Sequence, residues 1–413
     1  MRRKLLLALV LVLGPGCQDP APRATSEPAL TPAPLELHDH PPEGLEAAEE
    51  MLPPALTTPV FSPEPIVPAN AGRELELDVV SQNGDFGIRG MAPDGTVFAV
   101  RFDSGSKLYA STDMGRTFQL RSDGADGIRK MAVLSDGTLL ANTNDGANWL
   151  SRSTDGGRTW TRVLRLGDYR MLTPHSIAEL NGAVFYGEYQ TFGSGPSPIR
   201  IWSSFDRGAT WKVHHTFTAY RHLHGLIADE REGLLWALAG DSTGELLRSR
   251  DGGNTWEVVL RKSDPVRGVA VAVDGVPLPG GGLLYGVDAI NRPSAETGIV
   301  RIAPDGSATY VGQLPGPSYA IKQHSSGAFL LGVSREPSGN VYAPGDVSAR
   351  LFGSSDGATF KELLAFERLT ARSNAHVQVH WELPSGEVLI EVDNVKGFGD
   401  DGEGFLIARP RLR

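Results

Sequence analysis

The sequence predicts an all-β fold: a closed ring of seven four-stranded antiparallel blades, with six blades as the alternative. Three observations carry this expectation. The stretch Ser153-Thr154-Asp155-Gly156-Gly157-Arg158-Thr159-Trp160 recurs, with the same residue types at the same spacing, from Ser111 to Phe118, Ser204 to Trp211 and Ser249 to Trp256. A copy one residue shorter runs from Ser354 to Phe360. Apolar runs broken by polar turns restart every 40 to 57 residues, the shorter steps matching the period of a four-stranded unit. With 49 glycines and 29 prolines in 413 residues, the composition favours many turns over long helices.

Taken in order, the chain opens with Arg2-Arg3-Lys4 and the apolar run Leu5 to Leu13, too short to span a bilayer and read as a signal peptide over residues 1–16. Cys17, the only cysteine, follows it directly. The arrangement resembles a bacterial lipoprotein signal, in which the cysteine is lipidated. It implies a cell-envelope protein anchored to a membrane through Cys17 and facing periplasm or exterior; secretion is the alternative. From Gln18 to Asn70 stand 13 of the 29 prolines, so residues 17–72 are expected to form an extended tether.

Residues 73–413 carry the repeat. Blade two shows the whole unit: Ile128 to Leu134, a Ser135-Asp136-Gly137 turn, Thr138 to Asn142, a loop, Trp149 to Ser153, the repeated octapeptide, then Thr161 to Leu164. First strands are expected near Ile88, Ile128, Arg170, Arg221, Val266, Tyr319 and His376. Ala303-Pro304-Asp305-Gly306 replaces the octapeptide in blade five. The last unit runs out of chain, and Glu74 to Val80 is expected to supply its fourth strand, closing the ring and removing free edges.

In Ser-x-Asp-x-Gly-x-Thr-aromatic, the carboxylate can accept backbone N–H groups of its own turn and the glycine takes φ > 0. The motif is similar to the Asp-box (BNR) repeat of sialidase-like β-propellers, which implies the propeller fold and a ligand face opposite the boxes. The boxes join third to fourth strands, on the face that also holds the first-to-second turns. Asp113, Asp155, Asp206 and Asp251 are therefore read as scaffold.

The opposite face collects charge. Arg89, Arg129, Arg170, Arg221 and Arg267 open first strands, one per blade, with Lys322 and His376 at comparable places. Second strands end on Asp103, Glu188, Asp241, Asp288 and Asp393. Each arginine either bridges to an acid or offers a fork to an anionic ligand. Tyr169 to His175 parallels Tyr220 to His224, which places His175 and His224 at equivalent positions, with His376 and His380 added from blade seven. Histidines beside acids and tyrosines suit general-base or metal-ligand roles. The candidate catalytic set is His175, His224, Tyr189, Glu188 and Asp241. The candidate ligand-binding set is Arg89, Arg129, Arg170, Arg221, His222, Arg267 and His376. No metal or cofactor is assigned.

The Arg-Ile-Pro motif of strict sialidases does not occur. The His, Tyr and Arg set resembles that of polysaccharide lyases built on seven-bladed propellers, and Asp-box propellers also resemble assembly factors that act as docking platforms. The expected function is binding, with cleavage by a glycoside hydrolase or polysaccharide lyase left open, of an anionic glycan or other acidic ligand by a monomer; a non-enzymatic binding or assembly-platform lipoprotein is the alternative. A net charge of −10 argues against nucleic acid as partner.

Overall fold

The computed structural model describes residues 64–102, 107–123, 127–190, 197–241, 244–261, 270–288, 297–336, 346–371 and 373–413. Cys17, the signal segment, Asp103 and Arg267 lie outside them, as does Val266. After a 3-10 turn at Pro68–Asn70 comes β1 (Leu75–Asn83). Blade 1 is β2 to β5 (Phe86–Met91, Val97–Arg101, Leu108–Ser111, Gln119–Ser122) and blade 2 is β6 to β9 (Lys130–Val133, Leu139–Asn144, Asn148–Ser153, Thr161–Gly167). Blade 3 is β10 to β13 (Ile177–Leu180, Ala183–Gly187, Ile199–Ser204, Lys212–Phe217) and blade 4 is β14 to β17 (Leu223–Asp229, Leu234–Ala239, Glu245–Ser249, Glu257–Arg261). Blade 5 is β18 to β21 (Val276–Leu278, Gly282–Gly286, Gly298–Ile302, Ala308–Gln313) and blade 6 is β22 to β25 (Ser318–Gln323, Phe329–Val333, Ser348–Ser354, Lys361–Glu367). Blade 7 is β26 to β28 (His376–Glu382, Val388–Asp393, Gly404–Leu412) plus β1.

Seven four-stranded antiparallel sheets result, which decides for seven blades. Ring closure is as expected: β1 pairs with β28 from Leu75↔Leu412 to Asn83↔Phe405. Packing starts ahead of residue 73, because Ile66 and Val67 donate their N–H groups to Asp356 O and rest on the core between blades 5 and 6.

The core is divided into seven clusters, each between consecutive blades. Ile88, Ala99, Leu389 and Phe405 join blades 1 and 7, and Trp236, Leu246, Tyr285 and Val300 join blades 4 and 5. The alternating side chains of each sheet therefore pack against the next sheet, so no blade has a core of its own.

The repeated octapeptide is a turn closed by its own side chains. Asp155 Oδ1 accepts from Ser153 Oγ, Arg158 N and Thr159 N at 2.8, 2.9 and 3.0 Å. Its Oδ2 accepts from Thr159 Oγ1 at 2.6 Å, and Trp160 Nε1 donates to Gly157 O at 3.2 Å. Gly157 has φ +84°, and a Cβ there would meet Leu108 Cδ2 at 2.5 Å. The equivalent threonine bonds recur at Asp113, Asp206 and Asp251.

Hydrogen bonds from Thr210 and Thr255 hold the Asp206 and Asp251 carboxyls at about 2, and Asp113 is also at about 2, its hydrogen bonds outweighing burial. Folded values below the unfolded ~3.9 mean a contribution present above about pH 4 and lost as pH falls towards 2. The melting temperature should therefore drop over that window. Replacing the four box aspartates with asparagine should lower the neutral-pH melting temperature and flatten the acid decline. An unchanged acid slope in the quadruple variant would place the acid sensitivity elsewhere.

Candidate functional site

Antiparallel strands put the starts of the inner strands and the second-to-third connections on one end of the axis. There a cavity of about 510 Å³ opens, lined by seven of the expected residues: Arg89, Arg129, Arg170, Tyr189, His224, Asp241 and His376. Its charge is sorted by side. Arg89, Arg129, Lys130 and Arg170 come from blades 1 to 3, and Asp241, Asp288, Glu391, Asp393 and Glu403 from blades 4, 5 and 7.

The basic side divides by partner. Arg89 Nη1 donates to Ile88 O at 3.0 Å; burial lowers its guanidinium, and Glu391 and Glu403 oppose that. Burial also lowers the Lys130 ammonium and raises the Glu391 carboxyl, each opposed by the other. Arg129 and Arg170 make no ion pair with a carboxylate among the described residues. The Arg170 guanidinium lies over the Tyr189 ring, 5.4 Å from its centre. Arg221 is already neutralised, its Nη1 donating to Asp241 Oδ2.

Blade 4 supplies the opposite wall. Asp241 sits at φ +57°, with its carboxyl at about 2 through the His224 hydrogen bond, against burial and with help from His222 and Arg221. His224 is enclosed; burial works against its charged form, but Asp241 and Asp288 together hold it above its ordinary value. Burial and the neighbouring His224 push His222 down to about 4. The Tyr189 ring packs 4.3 Å from His222 and 6.1 Å from His224, and burial raises its phenol while Arg170 opposes. His376 accepts or donates through Nδ1 to Ser334 Oγ at 2.8 Å, and burial pushes it down to about 4.

Two expected catalytic residues fall elsewhere. Glu188 is 2 % exposed and accepts from Arg200 N and Trp202 Nε1, both at 2.8 Å; it ties β11 to β12 and does not line the cavity. His175 is not the counterpart of His224. The first strand of blade 3 begins at Ile177, while Arg170 bridges to Tyr189, so Met171 to Ser176 form an excursion ending in a 3-10 turn at Pro174–Ser176. This carries His175 onto the axis, where Nε2 lies 3.3 Å from His380 Nδ1 and 3.5 Å from Asp274 Oδ1. Side chains from blades 3, 5 and 7 meet there, apart from the mouth.

The sequence reading missed Lys130, Glu391, Tyr319 and Glu403. Glu391 was marked by an acid inside the apolar run Val388 to Val392, and Lys130 by its place beside Arg129.

Compared with known proteins, the chain matches no family model and no curated protein. Among solved structures it is similar to one titled streptogramin B lyase, at 17% identity, covering 83% of this chain and 98% of that one with a TM-score of 0.51. It is also similar to YCF48 bound to D1 peptide, at 15% identity, covering 81% and 96% with a TM-score of 0.50. At these identities the likeness is one of fold, the seven-bladed β-propeller.

Proposed function

We propose that the axial mouth binds the acidic residue of an anionic glycan, a uronate or a sulfated sugar, through Arg129 and Arg170. The observation that carries the reading is that these two guanidinium groups share a cavity with Lys130 and have no carboxylate of their own among the described residues. A planar fork matches a carboxylate or sulfate through two parallel bonds. About 510 Å³ lies within the ~300–1,000 Å³ range of small-molecule sites. Tyr189 and Tyr319 on the wall offer ring faces to a sugar, and the acids of blades 4, 5 and 7 accept from its hydroxyls.

A second reading adds cleavage. The Tyr189 ring is in contact with the Arg170 guanidinium and the His222 imidazole and close to His224, which gathers a neutraliser and proton-transfer groups around one phenol. The test is a calorimetric panel of uronate, sulfated, sialylated and neutral oligosaccharides at two salt concentrations. Acidic sugars should bind, neutral analogues should not, and salt should weaken the binding. Formation of unsaturated uronate ends would add lyase activity. Equal binding of neutral sugars, or binding of acidic peptides alone, would defeat the glycan reading.

A further inference from the structure

Two histidines beside Asp241 have their tautomers set by the backbone. His222 Nδ1 lies 2.6 Å from Gln190 O, and His224 Nδ1 lies 3.0 Å from Ala272 O. A carbonyl only accepts, so each Nδ1 carries a hydrogen and each Nε2 of the neutral ring presents a bare lone pair. Both lone pairs turn towards Asp241: His222 Nε2 is 3.3 Å from Oδ2, and His224 Nε2 is 3.8 Å from Oδ1. His222 is 1 % exposed, and its Nε2 is buried without a hydrogen-bond partner. With both rings neutral, acceptors face acceptors in an enclosed place; a proton on His224 relieves one of the two contacts, and a cation seated among the three groups would relieve both.

We propose that His222, His224 and Asp241 form a site for a divalent transition-metal ion of the zinc type. Ligands at ~2.1 Å on a tetrahedron stand roughly 3.4 Å apart, close to the spacings found here. Two imidazoles and one carboxylate suit zinc, cobalt or nickel better than calcium or magnesium, which prefer all-oxygen sets. The outer contacts are those a ligand set needs. Each ring is oriented by a backbone carbonyl, and the Arg221 guanidinium holds the Asp241 carboxylate. Gly240 keeps the space open: a Cβ there would stand 2.2 Å from His224 Nε2 and 2.6 Å from His222 Nε2. Since His224 and Asp241 line the cavity, an ion with three protein ligands would keep a coordination position towards the mouth.

The second histidine cluster does not carry the same need. His175 Nε2 lies 3.3 Å from His380 Nδ1 and 3.5 Å from Asp274 Oδ1, so a single N–H there can serve both acceptors without an ion.

The test uses the full chain after chelator treatment, with Zn²⁺ and Co²⁺ titrated by calorimetry and Co²⁺ followed by its visible absorption. One ion per chain should bind, with ligand-field bands of a nitrogen–oxygen site. His222→Gln and Asp241→Asn should each weaken binding at least about tenfold, and His380→Gln should leave it unchanged. Asp241→Asn keeps the shape of its side chain and gives the answer even if His222→Gln does not fold. No stoichiometric binding, meaning a simple imidazolium–carboxylate pair, would overturn the proposal. So would binding that survives Asp241→Asn and is lost in His380→Gln. No sugar enters the readout, so the metal site and the glycan reading fail independently.

Discussion

Replacing both Leu75 and Leu77 with aspartate should open the ring. β1 is the outermost strand of blade 7, and its register with β28 joins the first described strand to the last. Leu75 is 6% exposed within the core between blades 6 and 7, and Leu77 packs against the same cluster. Burying each leucine contributes roughly 1.5–3 kcal/mol, and a charge in its place adds desolvation cost. A loss of about 4–6 kcal/mol is a large part of the ~5–15 kcal/mol that holds a domain folded. The variant should melt at a much lower temperature, and its unpaired β28 edge should promote association on gel filtration. Val79, on the same strand, is 48% exposed, so Val79→Asp should change stability by no more than about 0.5 kcal/mol. If the leucine pair and Val79→Asp melted alike, closure through β1 would not be what holds the ring.

That closure was legible in the sequence because it follows from counting: seven first strands, a final unit short of one strand, and a spare apolar run at Glu74 to Val80. The octapeptides fixed the phase of blades 1 to 4, since each turn closes through its own side chains and reads the same anywhere in the ring. Phase was lost where local chemistry inserts length without changing type. In blade 3, Pro174 starts a 3-10 turn capped by Thr173, with His175 N donating to Thr173 Oγ1 at 3.1 Å. The parallel between Tyr169–His175 and Tyr220–His224 is real as a pattern and false as a register. In blade 5 the inner strand is only Val276–Leu278, some ten residues after the expected start.

The site was half legible for a related reason. Arginine at the start of an inner strand reports position well, because the strand fixes which end of the axis it reaches. Whether that arginine is spent on a neighbour depends on the adjoining blade, which no local pattern encodes. Arg221 is spent on Asp241, whereas Arg129 and Arg170 are not spent on a carboxylate among the described residues. Glu188 misled for the same cause: it ends a second strand as Asp241 does, but Trp202 on the next strand offers an indole N–H, and the carboxylate turns to it.

This division of the arginines sets the largest functional effect. On the glycan reading, Arg129→Ala and Arg170→Ala should each weaken an acidic oligosaccharide by about 10- to 150-fold. The range follows from ~1.5–3 kcal/mol for a charge-assisted hydrogen bond, at 1.4 kcal/mol per factor of ten. The double variant should lose more than either single one, falling short of the product if both forks grip the same carboxylate. Arg170→Lys should recover part of the loss, because charge remains while the planar fork and its contact over Tyr189 are gone. The two alanine changes and their combination should reduce the salt dependence of binding and leave thermal unfolding nearly unaltered, since neither arginine has, among the described residues, a carboxylate partner whose removal would strand a charge. Arg221→Ala should behave differently: it frees the Asp241 carboxylate in the mouth, and an anionic ligand would then meet an added negative charge. A double Arg129→Ala, Arg170→Ala variant that bound acidic sugar as tightly as the parent would remove the basis of the proposal.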